Sequence, residues 1–215
     1  MKGKGAFLSF EGIDGSGKTT QLERLTAHLR GLGREVIVAQ EPGGTRIGLE
    51  IRRLLLDSLN SDLKPTTELL LYFASRAQNI EEVIRPALEK GIVVVADRFT
   101  DATVAYQGYG RGLGVEAVRA IERFACSGVK PNLTVWLDID PAVGISRALY
   151  RNSSADEDES RMEHENFDFF AKVRRGYQEL KQAEPARIRR IDASGSADEV
   201  EGRIREVVDG FFQTH

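Results

Sequence analysis

The apolar positions of this chain fall into two alternating periodicities. Five short strand-like runs stand at residues 6–10, 35–39, 92–96, 133–139 and 188–192, the first four nearly continuous and the last sparser. The middle ones are β-branched along most of their length, as strands covered on both faces require. Between the runs, apolar residues recur every three or four positions over 20–29, 65–90, 115–127, 141–151, 166–183 and 197–212, which predicts helices. Strands alternating with helices predict βαβ units. The expected fold class is therefore α/β, a five-stranded parallel sheet between two layers of helices. No repeat or linker interrupts the pattern, so residues 1–215 are expected to form a single domain. One stretch departs from it. Residues 152–160 are polar and strongly acidic, cannot bury a face, and are expected to form a mobile surface loop.

Composition narrows the partners. The chain has 215 residues, 41% hydrophobic and 29% charged, enough for one continuous core. Thirty basic and 33 acidic residues leave a net charge of −3, so no bulk positive field holds a nucleic acid. Phosphate chemistry must rely on locally placed cations. Cys126 is the only cysteine, which excludes an intrachain disulfide and disfavours a cysteine-built zinc site; it reads as a core thiol. His28, His164 and His215 have no ligand spacing. The first strand follows the N-terminus without a signal-peptide pattern, and no apolar run approaches bilayer length. The expectation is a cytoplasmic protein with no membrane partner.

The candidate chemistry begins in the first loop. Gly12-Ile-Asp-Gly-Ser-Gly-Lys-Thr-Thr20 fits G-x-x-x-x-G-K-[ST], between a predicted strand and a predicted helix. Glycines let consecutive backbone N–H groups face one concavity, and the following helix aims its positive end there. Gly12, Asp14, Gly15, Ser16, Gly17, Lys18, Thr19 and Thr20 are expected to cradle a nucleoside triphosphate. Lys18 would lie against its β- and γ-phosphates, and the Thr19 hydroxyl would help to hold Mg²⁺. Strand 92–96 ends in Asp97-Arg98, at the carboxyl end where an open α/β sheet places its ligands. The segment 100–109 reads as helical, with Thr103 and Gln107 on one face. That face is either solvated or faces a ligand. Tyr72 and Arg76 likewise share a face; they suit a planar base, while core packing is the better account of Tyr72 taken alone.

The blocks Phe10-Glu-Gly-Ile-Asp-Gly-Ser-Gly-Lys-Thr-Thr20, Glu41-Pro-Gly-Gly-Thr45, Tyr72-Phe-Ala-Ser-Arg76, Asp97-Arg-Phe99 and Ala105-Tyr-Gln-Gly108 resemble the bacterial thymidylate kinase family, in order and across most of the chain. The resemblance implies a P-loop kinase fold, a homodimer, and transfer of the γ-phosphoryl group of MgATP to dTMP. Carried over by position, it implies that Arg98 and Arg52 bind the acceptor phosphate and that Arg76 meets a thymine carbonyl. Thr103 and Gln107 would read the polar edge of the base, and Tyr72 would stack on its face. Glu41 would sit beside the acceptor, Asp14 would approach its sugar and the phosphates, and Asp97 would serve Mg²⁺ directly or through water. Tyr72 stands where the family usually has Phe, Phe99 where it usually has Tyr, and Ala102 where a Ser is usual.

The variable positions of the loop, Ile13, Asp14, Gly15 and Ser16, carry no cation. The resemblance then implies that arginines come from a short lid at about 147–163. Arg151 is favoured for the transferred phosphoryl group, with Arg147 second and Arg161 a further candidate. Arg147 and Arg151 are i, i+4 on one helical face; the alternative is a solvated face paired with the acidic loop. A guanine-reading Asn-Lys-x-Asp does not occur, which weighs against a GTPase switch. Another nucleoside monophosphate remains an alternative acceptor.

Overall fold

A computed structural model of the protein describes residues 5–152, 161–162 and 165–214, with backbone alone at 149, 151 and 152. The expected loop at 152–160 thus lies, apart from the backbone of Asn152, outside the described residues. The five strands are β1 (Phe7–Glu11), β2 (Val36–Gln40), β3 (Val93–Asp97), β4 (Leu133–Asp138) and β5 (Ile188–Asp192). They form one all-parallel sheet in the order β2-β3-β1-β4-β5. Burial follows that order. Every residue of β1 and β4 is buried, whereas β2 and β5 at the edges alternate with exposed positions such as Val38, Arg189 and Arg190. Helices cover a central strand on both faces and leave an edge strand partly open, which is why the three inner runs are the most continuously apolar.

Among the described residues the helices are α1 (Lys18–Gly31), α2 (Arg46–Leu56), α3 (Pro65–Asn79), α4 (Arg85–Glu89), α5 (Thr100–Thr103), α6 (Val115–Ala125), α7 (Pro141–Asn152), α8 (Phe167–Ala183) and α9 (Ala197–Thr214). Two predicted helices differ in detail. The pattern over 65–90 appears as α3 and α4 joined by a π-helical turn at Ile80–Ile84. Pro86 lacks an N–H and its ring crowds the carbonyl of Glu82, so the backbone widens there. The segment 100–109 is α5 followed by a π-helical turn at Val104–Gly110. Helix α2 is absent from the pattern-based prediction. Its apolar residues Ile47, Leu49 and Leu54 are exposed and only Leu55 among its large apolar side chains is fully buried, so no buried stripe marks it.

The core lies on both faces of the sheet. Trp136 stacks on Tyr177 with ring centroids 5.7 Å apart, and Phe7 meets Phe99 edge-on at 4.9 Å. Cys126 is buried, and burial pushes its thiol up to about 12, the inert state expected of a core thiol. No helix of the described residues is long and apolar enough to cross a membrane. Register aligns the functional ends. Phe10 pairs with Asp97, and Asp97 with Gln40, so the loops after β1, β2 and β3 leave the sheet at one level. Their residues converge without a long excursion of chain.

Candidate active site

The loop after β1 is shaped by its glycines. Gly12 and Gly15 have φ of 142° and 75°, and a Cβ on them would lie 2.6 Å from the Leu137 carbonyl oxygen and 2.0 Å from that of Gly144. The backbone of α7 therefore rests directly on the loop, and only glycine fits at 15. Lys18 opens α1 and is buried. Its ammonium donates to the carbonyls of Gly12 at 3.2 Å and Ile13 at 3.3 Å, and lies 3.7 Å from Asp14. Burial, then the charge of Arg98, lower its pKa to about 8 against the opposing carboxylates of Asp14, Asp97 and Glu11. The ammonium is poised to gain from a further anion.

Arg98 follows β3 with φ of 70°, an unusual conformation for a side-chain-bearing residue. Several contacts hold it there. Its N–H donates to Phe10 O at 2.9 Å, and its guanidinium donates to Gly12 O at 2.7 Å and to Asp14 at 2.6 Å. The next N–H, of Phe99, donates to the buried carboxylate of Glu11 at 2.8 Å. Tyr177 and Ser9 donate to the same carboxylate. Burial, then the charge of Asp101, raise Glu11 to about 7 despite these donors.

A second cluster lies beyond Arg98. Arg76 on α3 is only 2% exposed; its Nε donates to Glu41 and one terminal nitrogen donates to Thr103 Oγ1 at 2.7 Å. The rings of Phe73 and Phe99 flank the guanidinium with centroids at 5.2 and 5.1 Å. Asn79 also reaches Glu41, at 3.4 Å. Burial raises the Glu41 carboxyl, opposed by the Arg76 charge. Further along, the buried carboxylate of Glu68 accepts from Gln107, Arg111 and Arg161.

One cleft of about 550 Å³ joins these groups. Of the residues singled out from sequence, Asp14, Gly15, Gly17, Lys18, Thr19, Thr20, Glu41, Arg52, Tyr72, Arg76, Asp97, Arg98, Thr103 and Gln107 line it. Gly12 and Ser16 of the same loop do not; both are buried. Thr103 and Gln107 are almost fully buried rather than on a solvated face, and Tyr72 is half-buried on the cleft wall. Arg147 is exposed on α7 and is not among the lining residues. The side chain of Arg151 lies outside the described residues. Arg161 is buried, donating to Glu68 at 2.7 Å and to the Leu55 carbonyl, so it is tied into the wall.

The donors for a metal are hard oxygens. Asp97 Oδ1 is buried with no hydrogen-bond partner among the described residues, and Thr19 lines the same cleft. Among the described residues no group of three or more His, Cys, Asp or Glu gathers to cage a metal. This donor set suits Mg²⁺, which takes few protein ligands and completes its shell with phosphates and water. Two polar residues that the sequence reading left without a role stand at the site, Tyr106 on the cleft wall and Glu68 buried behind it. Tyr106 lines the wall with the Arg98 guanidinium 4.9 Å from its ring centroid, and its spacing of three from Thr103 is the signal that marks it. Glu68 precedes Tyr72 by four and Arg76 by eight, which continues their stripe one turn back.

The thymidylate kinase family model matches residues 10–204. The thymidylate kinase of Solidesulfovibrio magneticus is 50% identical over 204 residues, 94% of this chain and 98% of its own. That of Syntrophotalea carbinolica is 49% identical over 199 residues, 92% of each chain. That of Geotalea daltonii is 48% identical over 208 residues, 96% of this chain and 97% of its own. With this similarity running through the loop, the Arg76 cluster and the residues after β3, the chain belongs to the thymidylate kinase family.

Proposed function

We propose that the cleft seats both substrates of the thymidylate kinase reaction, the donor on the loop and the acceptor against the Arg76 cluster. The protein transfers the γ-phosphoryl group of ATP to dTMP, giving dTDP and ADP for dTTP synthesis. The observation that carries the seating is continuity: one cleft runs from Lys18 past Arg98 to Arg76, Thr103 and Gln107.

Phosphoryl transfer is mainly alignment plus charge stabilisation. Lys18 and the N–H groups of the loop hold the β- and γ-phosphates. Arg98 and Arg52 take the acceptor phosphate, and the hold of Arg98 on Gly12 and Asp14 sets it between donor and acceptor. Asp14 meets the acceptor sugar and the phosphates. Tyr72 stacks on thymine, Arg76 donates to a carbonyl of the base, and Thr103 and Gln107 meet its polar edge. Glu41 keeps Arg76 in place. Thr19 and Asp97 would hold Mg²⁺, which would supply positive charge at the phosphate oxygens.

Ile13, Asp14, Gly15 and Ser16 bring no cation, so the lid proposed at about 147–163 supplies it through Arg151 and then Arg147, while Arg161, tied into the cleft wall, does not. A homodimer is favoured by exposed Leu49 and Leu54 on α2, Leu70 on α3 and Phe124 on α6, because α3 packs against both other helices. Both substrates are soluble nucleotides, which favours the cytoplasm as the place of action. The test is ADP formation from MgATP across dTMP, dUMP, CMP, AMP and GMP. A preferred acceptor other than dTMP refutes the proposal.

A further inference from the structure

We propose that Glu68, remote from the transferred phosphoryl group, is the positioning residue that makes the acceptor site read thymine rather than cytosine, by fixing which end of the Gln107 amide faces the base. The proposal rests on the reading of Gln107 as a base-edge residue. Glu68 is 0% exposed and accepts from Gln107 Nε2 at 2.8 Å, from Arg111 Nε and a terminal nitrogen both at 3.1 Å, and from Arg161 at 2.7 Å. Burial alone would raise its pKa. The hydrogen bonds from Arg111 and Gln107 and the charges of Arg111 and Arg161 outweigh burial and hold it below the usual carboxylate value. Ringed by these donors and two guanidinium charges, Glu68 is held as the carboxylate, and an ionised carboxylate only accepts.

That settles the amide. An unconstrained Gln offers a donor or an acceptor by turning over, with little cost. Against Glu68 the nitrogen faces the carboxylate through one of its two N–H groups, and the carbonyl oxygen at the other end of the amide is the one acceptor Gln107 can offer the cleft it lines. Thymine carries a proton on N3 and satisfies such an acceptor. Cytosine carries a lone pair on N3 and meets the carbonyl oxygen with repulsion. Arg111 and Arg161 also matter to Gln107, because they keep the carboxylate charged and centred; Arg161 is itself tied to the Leu55 carbonyl. Selection at the base edge is therefore made one layer behind the cleft, by a residue that touches no substrate.

The experiment uses the whole enzyme with MgATP and compares kcat/KM for dTMP and dCMP in wild type, Glu68→Gln and Gln107→Met. Glutamine at 68 has the same shape but can donate, so the Gln107 amide is free to turn over. The expected result for Glu68→Gln is about a tenfold fall in the dTMP to dCMP ratio, carried by KM of the acceptor, with KM for ATP unchanged. A lower melting temperature with an unchanged ratio shows a merely structural residue and overturns the inference. If Gln107→Met leaves KM for dTMP unchanged, the base-edge reading itself fails. If it raises that KM while Glu68→Gln leaves the ratio intact, only the inference fails. Should Glu68→Gln not fold, the wild-type side-chain amide of Gln107, assigned by its loss in Gln107→Met, decides by nitrogen–proton NMR. Slow hydrogen exchange is expected of a donor held on a buried carboxylate, and free exchange overturns the proposal.

Discussion

Lys18 offers the most direct link between burial and substrate binding. Its ammonium is pressed from the ordinary value of 10.5 to about 8, mainly by burial, at a position aimed into the cleft. At 1.36 kcal/mol per pH unit this corresponds to roughly 3 kcal/mol disfavouring the charged form in the free enzyme. Triphosphate placed against Nζ supplies the missing anion and returns the pKa toward or above its ordinary value. At about pH 8.5 the free enzyme carries the proton on only about a quarter of its molecules, so ATP binding should take up about three-quarters of a proton. At about pH 6.5 the site is already charged and this uptake vanishes. Titration calorimetry in two buffers of different ionisation enthalpy reads the difference directly. Equal heats in both buffers at pH 8.5 refute the reasoning, because Lys18 would then be fully charged before ATP arrives. The same depression fixes a stability sign. Between about pH 8 and 10.5 the unfolded chain binds more protons at Lys18 than the folded one, so this residue's contribution to folding rises with pH across that window.

Three further outcomes are expected. Arg76→Ala should raise KM for dTMP about a hundredfold and leave KM for ATP nearly unchanged, while leaving Glu41 buried and unpaired at a cost of about 3–5 kcal/mol in stability; equal loss for both nucleotides would make Arg76 purely structural. Arg151→Ala should lower kcat about a hundredfold with KM for dTMP changed only slightly, since it removes charge needed mainly in the transition state; an unchanged kcat sinks the lid assignment. Phe124, 90% exposed on α6, should when replaced by Asp shift the mass in analytical ultracentrifugation from dimer to monomer. A wild-type monomer, or a dimer untouched by Phe124→Asp together with Leu70→Asp, ends the dimer proposal.

Legibility in the chain tracked the range of the interaction involved. The strands and the loop are short-range facts: β-branched runs at 92–96 and glycines at 12, 15 and 17 declare themselves within a few residues. Helix α2 did not, because its apolar residues Ile47, Leu49 and Leu54 stay exposed and buried-face periodicity has nothing to report. The pair Tyr72 and Arg76 was visible in spacing, yet spacing alone favoured the core for Tyr72. The structure turned both onto the cleft wall, Tyr72 half-buried and Arg76 buried. Arg161 shows the converse. As a basic residue after an acidic stretch it suited a mobile lid, but long-range contacts with Glu68 and the Leu55 carbonyl bury it.

The sequence by itself determined the layered α/β plan, the phosphate-binding loop with Lys18, and the absence of a cation from that loop's variable positions 13–16. These follow from local backbone freedom, periodicity and side-chain identity. Only the tertiary structure decided which polar residues share a site. Register between parallel strands brings Glu41 and Arg98 to one level, packing buries Arg76 against Glu41 and Thr103, and Glu68 gathers partners as far away as Arg161. A buried charge is tolerable only beside its partner, and those partners lie 27 to 93 residues apart in the chain, beyond the reach of any local pattern.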